Sequence, residues 1–222
     1  MNPGAFLYKE KIFSEDEIYK ISSLAKDLES SKRSVHSAGG TYSDLKWFQV
    51  DLSKDFAFCE TILSELATSE PELLVFYYLE PGATLHPHRD LTGASMNNRI
   101  RFHVPVITNP GVEFVVNNEK IKMAPGDLWC LDTSYVHSVR NDGDETRVHV
   151  IVELNINDVI KKRLPGGYKA KLHSFNYALI LGGSFIKAVF VNSIRNPKYF
   201  LEQMGMVHKF IKWRVFKSEK PK

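Results

Sequence analysis

Cysteine is scarce in this chain. Only Cys59 and Cys130 occur, and no CxxC spacing is present. A disulfide framework and a structural zinc site both need clustered thiols, so both are excluded and a reducing compartment is implied. Charge of one sign is also in short supply. A formal net charge of +3 over 222 residues is too small to argue for nucleic acid, and none is expected as a partner. Long apolar runs are missing too. The opening residues MNPGAFLYKEKIFSEDE reach charge before any apolar run long enough for a signal peptide. The apolar stretch 177–191 is shorter than the roughly 20 residues that span a bilayer and is interrupted by Gly182, Gly183 and Lys187. A cytoplasmic protein is the expectation. No internal repeat is visible.

What is there reads as one substantial core. Ser14-Glu15-Asp16-Glu17 has the form of a capping box, followed by Ile18, Ile21, Leu24, Ala25 and Leu28 at helical spacing. Residues 30–43 are polar and read as loop, and 56–66 offer a second amphipathic helix. After Pro71 the period changes. Residues 73–79, 99–107, 112–116, 121–123, 128–131, 136–139 and 147–154 read as short strands, with Asn117-Asn118 as a tight hairpin turn. That density of strands predicts a mainly β fold with flanking helices, a barrel or jelly roll. From Asp158 the pattern is helical again. The expected organisation is a β domain with N-terminal helices over residues 1–157 and a helical, basic extension over 158–222.

The chemistry concentrates in His88-Arg89-Asp90, answered by His137 and then Arg147. Two imidazoles and a carboxylate form the facial ligand set of non-haem Fe(II) oxygenases, which leaves positions open for O2 and a co-substrate. HxD alone is common and Asp90 could merely cap a turn, but His137 and Arg147 together favour the metal. Arg147 adds an always-charged fork suited to a carboxylate. His86 is read as a half-exposed strand histidine. Strand alternation places Arg99, Arg101 and His103 on one face and Ile100, Phe102 and Val104 on the other. Arg147 and His149 repeat the scheme against Val148, Val150 and Val152. Two basic faces around a metal suggest an anion-lined interior, with the apolar faces outward under helices. For His149 a structural place in the core or at the surface is an equal reading.

An ordered series of segments carries a resemblance. Tyr77-Tyr78-Leu79-Glu80-Pro81-Gly82-Ala83, Pro87-His88, Arg99 to His103, Gly126-Asp127-Leu128-Trp129, Leu131 to Asn141 and Arg147 resemble the aspartyl/asparaginyl β-hydroxylases, which are 2-oxoglutarate-dependent oxygenases. The match covers about residues 74–155, leaving the N-terminal third and the tail outside it. It implies a double-stranded β-helix core of the jelly-roll or cupin kind, with iron on His88 and His137. The animal enzymes have Gly where Asp90 stands, so the chain is closer to bacterial free-proline hydroxylases, with a complete triad. The resemblance gives Arg147 the distal carboxylate of 2-oxoglutarate, and Arg101 and His103 its other end. Tyr77, where the animal enzymes place Ser, would donate to a 2-oxoglutarate carboxylate, and Arg99 would pair with a substrate carboxylate. Trp129, Asp132 and Asn141 also match and are read as a core aromatic, a turn carboxylate and a turn amide.

The implied enzyme is an Fe(II)/2-oxoglutarate-dependent dioxygenase that hydroxylates an amino acid or an aminoacyl or peptidyl group. Rival readings are a cupin-like protein that holds metal without oxidation, and a metal-dependent enzyme of another class on the same barrel. Neither requires Arg147 with Arg101. Residues 195–222 carry eight Lys or Arg against Glu202 and Glu219, interleaved with Tyr199, Phe200, Phe210, Trp213 and Phe216. They suit either an aromatic-docked terminal helix or peripheral contact with an anionic membrane or acidic partner.

Overall fold

The computed structural model describes residues 4–35, 46–90, 99–133 and 135–164, together with scattered positions between 186 and 208. Two compact units are present, residues 1–170 and 171–222. In the second, the described residues from 186 to 208 are helical except Asn196. The charged residues of the basic tail lie outside the described residues apart from Lys198, as does most of the stretch 177–191.

Helix α1 (Glu15–Asp27) starts where the sequence says it should. Ser14 accepts from the Glu17 amide, and the Glu17 carboxylate accepts from the Ser14 amide, which satisfies two donors that a helix start leaves open. Helix α2 (Ala57–Glu65) buries Cys59, Ile62 and Leu63. Helix α3 (Asp158–Arg163) is capped by the Asn157 side chain and buries Ile160 in the same core as α1 and α2.

The strands are β1 (Ala5–Lys9), β2 (Arg33–Ser34), β3 (Trp47–Asp51), β4 (Leu73–Leu79), β5 (Thr84–His88), β6 (Arg99–Ile107), β7 (Val112–Val116), β8 (Glu119–Ile121), β9 (Leu128–Leu131), β10 (His137–Asn141) and β11 (Arg147–Asn155). They form a seven-stranded sheet of order β1-β9-β6-β11-β4-β3-β2 and a four-stranded sheet of order β5-β10-β7-β8. The fold is mainly β with flanking helices, a jelly-roll or cupin-like double-stranded β-helix.

Alternation along the strands sorts the side chains into two cores. Val148, Val150, Val152, Phe102, Val104, Phe76 and Tyr78 face outward and bury against Ile21, Ala25, Ile62 and Leu66 of the helices. Tyr78 adds a buried hydrogen bond, its hydroxyl donating to the Ala25 carbonyl at 2.7 Å. Val75, Tyr77, Leu79 and Ile151 face inward and meet Leu85, Phe114, Val116 and Val139 of the smaller sheet. Arg147 and His149, which share the inner face of β11, are also buried. The expected interior, with polar groups inside and apolar faces under helices, is what forms.

Three strands were not expected: β1, β2 and β3. Their segments show no clean alternation, and register with distant partners makes them strands: Ala5 lies opposite Leu131, and Trp47 opposite Leu79. The loop expected over 30–43 holds the end of a 3-10 turn (Leu28–Ser31) and β2, and residues 36–43 lie outside the described ones. The hairpin strand expected at 121–123 begins earlier, at Glu119. Asn117 and Asn118 take φ of +50° and +64°, so two residues complete the turn and Val116 pairs directly with Glu119.

Candidate metal centre

Strands β5 and β10 pair antiparallel and set His88 directly opposite His137. The two imidazole centroids lie 4.3 Å apart. Each ring is oriented by the carbonyl two residues before it. His88 Nδ1 lies 2.7 Å from the His86 carbonyl, and His137 Nδ1 lies 3.0 Å from the Tyr135 carbonyl. A carbonyl only accepts, so Nδ1 carries a proton on each ring, and a neutral imidazole held this way keeps its lone pair on Nε2. This is how a metal-ligating histidine is normally held. Burial lowers the His137 pKa to about 4, which keeps that ring unprotonated at neutral pH.

Asp90 follows β5 and is pinned by its backbone, whose N–H donates to the Thr133 carbonyl at 2.9 Å. Its Oδ1 lies 3.6 Å from His88 Nε2. One donor atom each from His88, Asp90 and His137 can be chosen so that all lie within 4.8 Å of one another. Two neutral nitrogens and one carboxylate oxygen at that spacing fit a divalent transition metal. Exposed His86 contributes only its carbonyl.

His88 and His137 border a cleft that is open to solvent. Tyr77, Arg101, His103 and Arg147 line it beside His88 and His137. Tyr77 stands edge-on to Trp47, with centroids 5.0 Å apart. Arg147 is 2% exposed, and its Nε has no hydrogen-bond partner. Among the described residues no carboxylate forms an ion pair with it. Burial therefore pulls its pKa down, although a guanidinium keeps its proton at neutral pH. A buried cation that faces a cleft and has no carboxylate partner among the described residues fits a carboxylate ligand.

The two other expected arginines already have acidic partners. Arg101 faces the cleft, but its guanidinium is already engaged: Nη1 lies 3.0 Å from Asp90 Oδ2 and Nη2 lies 3.0 Å from Glu153 Oε2. It supports the carboxylate of the metal set before it can serve a co-substrate. Arg99 is not brought to the cleft. As the first residue of β6 it lies at the sheet's end, where its Nη2 pairs with Glu72 Oε2 at 2.9 Å.

Two further residues belong to the inner face of β11, Glu153, which the sequence reading does not single out, and His149. Glu153 is buried and shares the inner face of β11 with Arg147 and His149. His149 accepts at Nδ1 from Arg147 Nη2 at 2.7 Å. The signal for both was the two-residue period running on from Arg147. Asn141 is the turn amide that was read from its position. Its Nδ2 donates to the carbonyls of Leu79 and Glu145, and its Oδ1 accepts from Asn109 and Gly143.

Comparison with known proteins gives the family and the fold. A sequence profile described as aspartyl/asparaginyl beta-hydroxylase matches residues 16–156. An uncharacterised protein of Acanthamoeba polyphaga mimivirus is 31% identical over 78 residues, which span 35% of this chain and 28% of that protein. Among solved structures, the epimerase SnoN in complex with Fe3+, alpha ketoglutarate and nogalamycin RO superposes with a TM-score of 0.53 at 13% identity, covering 74% of this chain and 86% of that one. A Pseudomonas putida prolyl-4-hydroxylase gives a TM-score of 0.50 at 11% identity, covering 69% and 94%. A Trichoplax adhaerens prolyl hydroxylase, in complex with a peptide fragment of hypoxia inducible factor, gives 0.50 at 12%, covering 73% and 86%. At these identities the structural likenesses show the fold.

Proposed function

This chain belongs to the aspartyl/asparaginyl beta-hydroxylase family, and we propose that it is an Fe(II)- and 2-oxoglutarate-dependent hydroxylase. His88, Asp90 and His137 hold the iron. One observation carries this reading: His88 and His137, grouped with the Asp90 carboxylate, open on the same cleft as Arg147, a buried cation with no carboxylate partner among the described residues. A cupin that merely holds metal has no use for a buried guanidinium of that kind.

Bound iron supplies the activation of O2, with 2-oxoglutarate split to succinate and CO2 as one oxygen atom enters a substrate C–H bond. The protein's part is placement. The His86 and Tyr135 carbonyls fix both imidazole planes, and Arg101 fixes the Asp90 carboxylate. Arg147 pairs with the far carboxylate of 2-oxoglutarate, and this ion pair sets how deeply the co-substrate sits. Tyr77 and His103 line the remaining wall and meet its keto-acid end. Leu79, Leu85, Phe114, Val116 and Val139 make the rest of the cleft apolar, which limits the water that reaches the reacting carbon.

The substrate is an amino acid or an aminoacyl or peptidyl group, in keeping with the family's name. Arg99 meets its carboxylate only by giving up Glu72. The deciding experiment measures succinate release from 2-oxoglutarate under Fe(II) and O2 across amino acids and short peptides, with products identified by mass. Substrate-stimulated succinate with a product 16 Da heavier is expected. Iron binding without any 2-oxoglutarate turnover would leave the metal-holding cupin instead.

A further inference from the structure

The buried pair Arg147 and His149 contains one member, His149, that the proposed chemistry leaves without a task. We infer that His149 is a positioning residue for 2-oxoglutarate, holding the Arg147 guanidinium in place through an obligatory lone pair on Nδ1. The inference rests on the proposed role of Arg147.

The argument begins with proton count. A guanidinium has only donors, so His149 Nδ1, 2.7 Å from Arg147 Nη2, must accept. A neutral imidazole has one acceptor nitrogen, so the His149 proton resides on Nε2. His103 Nδ1 lies 3.3 Å from the same His149 nitrogen. Arg147 already takes the single lone pair of that nitrogen, and the His103 ring stands at 87° to the His149 ring, so His103 packs against it without competing for the acceptor. Burial, together with the Arg147 charge, holds both rings well below the ordinary histidine pKa, which keeps them neutral. One fixed cation thus sets the proton position on His149.

The contact also restrains the cation. Arg147 Nε is without a partner, and the Phe114 ring lies 5.8 Å from the guanidinium carbon. A second hollow, lined by Asn109, Lys122 and Met123, is bordered by His149. Remove the imidazole acceptor and the guanidinium loses its nearest polar anchor, while the wall between the two hollows thins. A long side chain then has other rotamers to occupy, and ordering it again costs affinity for the carboxylate it should meet.

The test uses the full chain loaded with Mn(II) under anaerobic conditions, with 2-oxoglutarate binding followed by calorimetry. His149→Leu removes the acceptor at similar volume and is expected to weaken 2-oxoglutarate about tenfold. Mn(II) affinity should be unchanged, as should kcat at saturating 2-oxoglutarate. His149→Asn returns an oxygen to the place of Nδ1 and should recover most of the binding. Wild-type affinity in His149→Leu would overturn the inference. If Arg147→Ala also bound normally, the proposed role of Arg147 would fall with it; normal loss in Arg147→Ala would confine the failure to His149. A readout that needs no variant is the 15N spectrum of the wild-type histidines. It should show His149 protonated at Nε2, and protonation at Nδ1 instead would overturn the inference equally.

Discussion

Arg101 binds Asp90 on one edge and Glu153 on the other, each at 3.0 Å, so one guanidinium bridges a metal-set carboxylate and a buried acid fifty-two positions further along than Arg101 itself. The pair Arg101 and Asp90 joins the start of β6 to the loop after β5. Removing Glu153 leaves Arg101 buried with one partner instead of two. Glu153→Gln is expected to weaken divalent metal binding about tenfold, in line with losses seen when groups behind metal ligands are changed. Anaerobic Co(II) titration, read by visible absorption, measures it. Unchanged affinity would mean that Asp90 needs no help from β11.

Substituting the ligands themselves should separate chemistry from folding. His88→Ala, Asp90→Ala and His137→Ala are each expected to abolish 2-oxoglutarate turnover. Far-UV circular dichroism should stay native, since the strands pair through backbone groups. A ligand variant that kept coupled turnover would remove its residue from the metal set.

Stability without metal should depend on pH through the buried histidines. His103, His137 and His149 all have lowered pKa values, mainly from burial, with His137 at about 4. Unfolding returns each to an ordinary value near 6.5. Above that value neither state is protonated and the three contribute no pH slope. As pH falls below it, the unfolded chain takes up protons that the folded one refuses, so stability drops with acidification down to each folded pKa. The slope is about 1.4 kcal/mol per pH unit per histidine. Urea melts of the metal-free protein at pH 7.5, 6 and 5 should show midpoints falling in that order. A midpoint that rises on acidification would contradict neutral burial.

The hydrogen bond from Tyr78 to Ala25 ties β4 to α1. Tyr78→Phe keeps the ring and deletes the donor, and should cost about 0.5–1.5 kcal/mol. Thermal unfolding measures this, and 2-oxoglutarate affinity should not change because Tyr78 faces the outer core.

Much of this architecture was legible because alternation and capping are local. The Ser14 capping box, the Asn117-Asn118 turn and the two-residue period from Arg147 each declare a conformation within a few residues. His88, Asp90 and His137 were legible through residue type and spacing. The pairing of β1 with β9 and of β3 with β4 was not, because those short segments become strands only against partners far along the chain. Arg99 and Arg101 show the same limit at the site. Alternation put them on one face, but only the fold reveals that Glu72 waits for the first and Asp90 with Glu153 for the second.

The ladder between β5 and β10 has a mechanical consequence. Among the described residues, strand β5 is an outermost member of the smaller sheet and pairs with β10, and its last residue, His88, meets His137 across that ladder. An ion gripped by both rings would rivet a fraying margin to its neighbour. Emptying that position should let residues 84–88 exchange their amide hydrogens with deuterium well before β11, which lies between two strands.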